Sequence, residues 1–163
     1  MTKKVKKVSL ALSLCLAILL CACSIPGSSN GQGPEMASRQ AQVVSVQEDQ
    51  AYTDAPSVAA YLRAYGHLPD NYLTKREARE RGWLPEKGNL RDLGPMATIG
   101  GDRFGNRERH LPDREGLRYK ECDVNYDGGP RGPERLVYDN EGNIYYTQDH
   151  YRHFEDVTKE GPA

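Results

Sequence analysis

Between positions 121 and 150 the chain places Glu121 and Asp123, then Arg131 and Arg135, then His150. A carboxylate can take a proton and an imidazolium can give one, both near neutral pH. Guanidinium groups are planar, permanently charged and suited to the oxygens of a phosphate. These are the groups that metal-free phosphodiester cleavage needs when the substrate carries its own nucleophile, as RNA does in its 2′-hydroxyl. Charges along a strand are also what an ordinary solvated sheet face carries, with surface ion pairs of little consequence. Residue types alone leave both readings open.

The side chains meet only if the backbone aligns them. Residues 117–126 read as a strand, whose side chains alternate between faces. Cys122, Val124 and Tyr126 then share a core face, and Glu121 and Asp123 share the other. Residues 135–138 and 143–147 read as a hairpin around "DNEGN", with Leu136 and Tyr138 inward and Arg135 outward beside Val137. His150 follows the hairpin. Segments 98–100 and 154–157 add edges, and Gly100, Gly101 and Asp102 read as a turn tying the sheet to the loop that follows. The first half is helical. Asp54 caps a helix that tolerates Pro56 in its first turn, repeats Val58, Leu62 and Tyr65, and stops at Gly66. "TKRE" at 74–77 has capping-box form and opens a second helix that stops at Gly82. Residues 89–94 read as a third short helix. Trp83 reads as a core aromatic and His67 as a surface residue. Helices followed by strands predict an α+β fold, with the N-terminal helices packed on one face of an antiparallel sheet.

The start of the chain serves another purpose. Lys3, Lys4, Lys6 and Lys7 precede an apolar run over residues 8–20, so residues 1–22 read as a signal peptide. "LLCAC" resembles a lipobox with Cys23 as the lipidated residue, and the alternative is cleavage near Ala22 with release. Residues 23–40, rich in Gly, Ser and Pro, form a flexible tether. The domain is expected over 41–158, with a tail at 159–163. Without the four leader lysines, 18 basic residues face 23 acidic ones, a formal charge of −5. Bulk charge therefore excludes a general polyanion binder, and any phosphate site must concentrate its cations locally. Once Cys15 and Cys21 leave with the leader and Cys23 is lipidated, Cys122 is unpaired and no disulfide framework is expected. Pleat alternation points Cys122 away from the carboxylates, which argues against a thiol nucleophile. No Cys/His cluster has metal spacing, and no cofactor is expected.

"LPDNYLTKREARERGW", "KGNLRDLGPMATIGGDRFGNRE", "REGLRYKECDVNY" and "DHYRHF" together resemble the barnase-like family of bacterial guanyl-preferring ribonucleases. The likeness runs over about residues 41–157. It implies three N-terminal helices and a five-stranded antiparallel sheet. By this resemblance Glu121 matches the general base and His150 the general acid, the family register setting His153 aside. Arg131 and Arg135 match the phosphate-binding arginines, and Lys75 a lysine that supports the transition state. Tyr151 matches the aromatic neighbour of the acid, and Asp123 a buried carboxylate that pairs with the arginines. The loop 104–108, "FGNRE", matches the base-recognition loop. There Glu108 can accept two hydrogen bonds from the donor edge of guanine, while the backbone N–H groups of Asn106 and Arg107 reach O6. Without the loop match, Arg107 and Glu108 would read as a turn ion pair. Three departures stand out. Gly105 replaces a serine and loosens the loop, which bears on purine selectivity. Gly142 replaces a bulky aromatic in the hairpin. Pro130 and Pro133 could redirect their loop, in which case Arg131 would lose contact before Arg135.

The resemblance implies an exported, monomeric endoribonuclease that cuts single-stranded RNA after guanosine through a 2′,3′-cyclic phosphate. The chain would be secreted, or held at the envelope through lipidated Cys23. It also implies a barstar-like acidic inhibitor as partner. Two alternatives remain at this point. One is a surface lipoprotein that binds RNA or nucleotides without cleavage. The other is the same nuclease used as a toxin against competing bacteria.

Overall fold

The computed structural model describes residues 44–159. The signal peptide, Cys23, the tether and all but the first residue of the tail lie outside the described residues.

Helix α1 spans Ala55–Tyr65. The Asp54 carboxylate accepts the Ser57 N–H at 2.9 Å, and Gly66 closes the helix at φ 73°, a left-handed conformation that glycine adopts without strain. Val58, Ala59 and Leu62 lie on one stripe and bury against Cys122, Leu136 and Ile144. Helix α2 spans Lys75–Glu80 and opens on the Thr74–Glu77 capping box. It ends in a Schellman turn, with the N–H of Gly82 on Arg79 O at 3.0 Å and that of Trp83 on Ala78 O at 2.9 Å. This turn delivers Trp83 into a second cluster with Ala78, Leu90 and Ile99. The predicted third helix is only a 3-10 stretch, Leu90–Leu93. Asn89, the residue placed to cap it, spends its side chain on the Leu84 N–H and the Gly82 carbonyl instead.

Six strands form one sheet in sequence order: β1 Tyr72–Leu73, β2 Thr98–Phe104, β3 Tyr119–Asp123, β4 Arg135–Asp139, β5 Ile144–Thr147 and β6 Glu155–Asp156. β2 to β6 are the expected five antiparallel strands, and β1 adds a parallel edge. Two residues are too few to show alternation, which is why β1 has no signature in the sequence. β3 is shorter than the predicted 117–126, because Asn125 turns the chain at φ 54°. Gly100, Gly101 and Asp102 do not form a turn. They lie inside β2 as a bulge: Gly100 pairs with Cys122 and Asp102 with Glu121, leaving Gly101, at φ 90°, as the extra residue. The bulge aims Asp102 at α2, where its Oδ2 accepts the Lys75 N–H at 2.9 Å. Gly100 has no room for a side chain, since a Cβ there would lie 2.6 Å from both Cys122 Cβ and the Tyr72 ring.

Both faces of the sheet are packed. Cys122 and Val124 face α1 as predicted, while Tyr126, past the strand end, joins the Trp83 cluster. The opposite face carries a smaller cluster of Leu111, Tyr119 and Val137, with Phe104, Tyr151 and Phe154 against it. Glu121, Asp123 and Arg135 share that second face by alternation.

Candidate active site

β3 and β4 place Asp123 directly opposite Arg135. Both are almost wholly buried, at 2% and 4% exposure, so this is no solvated sheet face. Arg131 reaches the same carboxylate with two bonds, Nε to Oδ2 at 2.5 Å and Nη2 to Oδ1 at 2.6 Å. Arg135 Nε lies 2.9 Å from Asp123 Oδ1 without aiming its hydrogen there, and so remains a buried donor with no acceptor among the described residues. Its Nη1 donates to the carbonyls of Gly132 and Glu134 at 2.7 Å each. Burial opposes the charge on Arg131, but the paired bonds to Asp123 outweigh it and raise the guanidinium pKa. Two guanidiniums share one carboxylate, which leaves a net positive charge fixed in a partly dry place. Pro130 and Pro133 have not pulled Arg131 away. The loop leans on Gly88, where a Cβ would come within 2.7 Å of the Gly129 backbone.

Glu121 sits two residues before Asp123 on the same face, 8% exposed. Lys75 Nζ donates to its Oε1 at 2.6 Å, and the Tyr151 hydroxyl donates to its Oε2 at 2.6 Å. Lys75 is the first residue of α2, set in place by the capping box behind it and by Asp102 on its backbone. Burial, and then donation to Glu121, push the Tyr151 hydroxyl well above the ordinary tyrosine value. It therefore stays protonated and remains a donor at neutral pH. The two donors thus hold both carboxylate oxygens in place.

His150 and Tyr151 have φ of 59° and 72°. Two left-handed residues in a row, neither of them glycine, store backbone strain that the surroundings must hold. The turn is fixed by the Tyr151 N–H on Thr147 Oγ1 at 3.0 Å, and by Asp149 Oδ1, which accepts the N–H groups of Arg152 and His153. The exposed His150 ring lies 4.7 Å from the Tyr151 ring, centroid to centroid. Tyr151 thus touches Glu121 at its hydroxyl end and His150 along its ring, and so links the carboxylate to the imidazole. His153 is occupied elsewhere, with Nδ1 2.5 Å from Asp149 Oδ2. That contact holds the Asp149 carboxyl well below its usual range. Cys122 is buried on the other face, and burial pushes its thiol up, so it stays a thiol.

The loop 104–108 lines an open depression of about 510 Å³. Asn106 clamps it shut: Oδ1 accepts the Leu111 N–H at 3.1 Å and Nδ2 donates to Leu111 O at 2.9 Å. The side chain of Asn106 is therefore structural, and only its backbone can meet a base. Arg107 and Glu108 are exposed and form no ion pair with each other. Gly105 does not owe its place to space, since a Cβ there meets nothing closer than Arg107 Cγ at 3.6 Å. Two residues that sequence reasoning missed join this loop to the His150 turn. The Phe104 ring lies 5.1 Å from that of Tyr151, and His110 Nδ1 lies 3.0 Å from Tyr151 O. Phe104 was legible as an aromatic at the loop's entrance, whereas the contact of His110 joins segments far apart in sequence and left no signal.

Comparison with known proteins gives the family. A family model described as ribonuclease matches residues 55–158. A ribonuclease from Heyndrickxia coagulans is 50% identical over 97 residues, which are 60% of this chain and 89% of that protein. Ribonucleases from Bacillus intermedius and Bacillus pumilus are each 50% identical over 97 residues, 60% of this chain and 60% of theirs.

Proposed function

The chain belongs to the ribonuclease family, and from that premise we propose an exported endoribonuclease that cuts single-stranded RNA on the 3′ side of guanosine. RNA cleavage is the family's activity. The base preference, the chemical route and export go beyond the family's shared activity.

In the first step Glu121 takes the proton of the 2′-hydroxyl, and the 2′-oxygen attacks phosphorus. The bond to the 5′-oxygen breaks, His150 gives that oxygen a proton, and a 2′,3′-cyclic phosphate forms. In the second step the roles reverse: His150 takes a proton from water, the water oxygen attacks phosphorus, the bond from phosphorus to the 2′-oxygen breaks, and Glu121 returns its proton to that oxygen. Arg131 and Arg135 offset the charge that builds on the phosphoryl oxygens. Lys75 holds Glu121 Oε1 in place and adds positive charge beside the reacting group. The observation that carries this reading is the Glu121 carboxylate, held by two donors and one alternation from the carboxylate that anchors both arginines. For guanine, the exposed Glu108 supplies acceptors for the two donors of its edge, and the clamped loop offers backbone N–H groups to O6.

An RNA oligonucleotide with a single guanosine tests the route. The expected product ends in guanosine 2′,3′-cyclic phosphate, and EDTA leaves the rate unchanged. Cleavage that needs an added metal, or a product without the cyclic end, sinks the mechanism. The leader supports export. Mass spectrometry of the mature N-terminus distinguishes a lipid-bearing Cys23 from release near Ala22.

A further inference from the structure

On the face of the sheet away from Glu121 lies a second group of cations. Arg103 pairs with Lys120 across β2 and β3, and Lys120 pairs with Tyr138 across β3 and β4. These three side chains therefore share one face. With Arg118 and Asn140 they line a cavity of about 510 Å³ beside Gly66, at the end of α1. Arg103, Arg118 and Lys120 are exposed. Among the described residues their side chains have no acidic partner, whereas other surface arginines do: Arg76 with Glu80, Arg109 with Asp113, Arg114 with Glu141. Asp139 is the acid at the cavity's margin, and its carboxylate is already spent. It accepts the N–H groups of Glu141 and Asn143 and the Asn143 side-chain amide, all within the hairpin turn. Like charges on neighbouring strands repel, so the cluster does nothing for the fold alone.

The cluster also continues toward the reaction site. Arg103 lines the depression under the recognition loop, and Arg103, Arg107 and Arg118 line a third of about 340 Å³ that shares residues with both, where the acid Asp113 is paired with Arg109. Cations thus run from the base loop, over the end of β2 and β3, onto the reverse face. A small anion would need one pocket, whereas a continuous track suits a chain of regularly spaced phosphates. We infer that Arg103, Arg118 and Lys120 bind the phosphate backbone of the RNA strand beyond the recognised nucleotide. The inference rests on the ribonuclease reading of the first site and adds an extended contact to it. In a domain of net negative charge, such a track supplies locally the attraction that bulk charge does not.

The test compares the wild type with the double variant R118Q/K120Q, which spares the recognition depression, on two substrates. The dinucleotide guanylyl-3′,5′-adenosine reports chemistry alone, and its kcat/KM is expected to stay within about twofold. For an RNA of roughly 20 nucleotides with one guanosine, kcat/KM is expected to fall about tenfold at low salt. The slope of log affinity against log salt should flatten by about 1.4, from two phosphate contacts at ~0.7 each. Equal loss on both substrates, or no loss on the longer one, overturns the track. If the wild type cleaves neither RNA, the ribonuclease reading fails separately. Fluorescence anisotropy with the longer RNA still decides the track, which requires about tenfold weaker binding by the variant. Unchanged RNA affinity overturns it, whether or not binding to phosphatidylserine vesicles falls.

Discussion

Glu121 is a carboxylate that the fold has taken largely out of water and supplied with two donors, Lys75 and Tyr151. As the base proposed above, it would contribute through the proton it takes, not through RNA affinity. Glu121→Ala is therefore expected to lower kcat by about 10²–10⁴ while the Kd for RNA stays nearly constant. Single-turnover rates and a titration of labelled RNA measure the two, and equal activity in the variant would reassign the base. Tyr151→Phe removes one donor and keeps the ring beside His150. Losing that bond frees Glu121 Oε2 from its position, so kcat is expected to fall about tenfold while the Kd for RNA stays nearly constant. An unchanged kcat would give Tyr151 a packing role only. Glu121, Asp123 and Arg135 were legible because strand alternation places them on one face. The bond from Tyr151 was not, because it depends on two left-handed residues, His150 and Tyr151, of types that do not announce such a turn.

Helix α2 is six residues long, too short to persist alone, yet it carries Lys75. Three local devices hold it: the capping box at Thr74 and Glu77, the Schellman turn at Gly82, and the Asp102 carboxylate on the Lys75 N–H. Thr74→Ala is expected to cost about 1 kcal/mol of stability, read as a shift in the urea midpoint at unchanged slope. Because Lys75 rides on the same turn, kcat should fall as well, with KM little changed. Full activity at the lowered stability would show that Lys75 finds Glu121 without its helix start. The capping box and the glycine stop were visible in the sequence because their hydrogen bonds are local. The bulge that aims Asp102 was read as a turn, since consecutive glycines look the same in either setting. Only the cross-strand register, Gly100 to Cys122 and Asp102 to Glu121, separates the two. β1 escaped notice for a related reason, as its pairing partner lies beyond the intervening helices.

At the scale of the molecule, stability among the described residues rests on packing to both sides of one sheet, and tyrosines contribute much of the material. Burial, the foremost cause in each case, raises the phenol pKa of Tyr61, Tyr72, Tyr119, Tyr126, Tyr138, Tyr145, Tyr146 and Tyr151; that of Tyr119 moves from 10.0 to about 12. A raised folded pKa fixes the sign of the linkage. Below pH 10 the phenols are protonated whether the chain is folded or not, and their contribution is fully present. Above it the unfolded chain ionises first and binds fewer protons than the folded one, so stability falls as pH rises toward 12. Alkaline unfolding is therefore expected to be cooperative, with tyrosinate absorbance near 295 nm appearing together with loss of the far-ultraviolet helix signal. Ordinary surface tyrosines would instead titrate near 10 in a folded protein, before any structural change. A pH series that shows complete tyrosinate formation while the circular dichroism stays native would mean that water reaches these rings freely. The two-sided packing that holds Glu121, Asp123 and Arg135 between its layers would then be wrong.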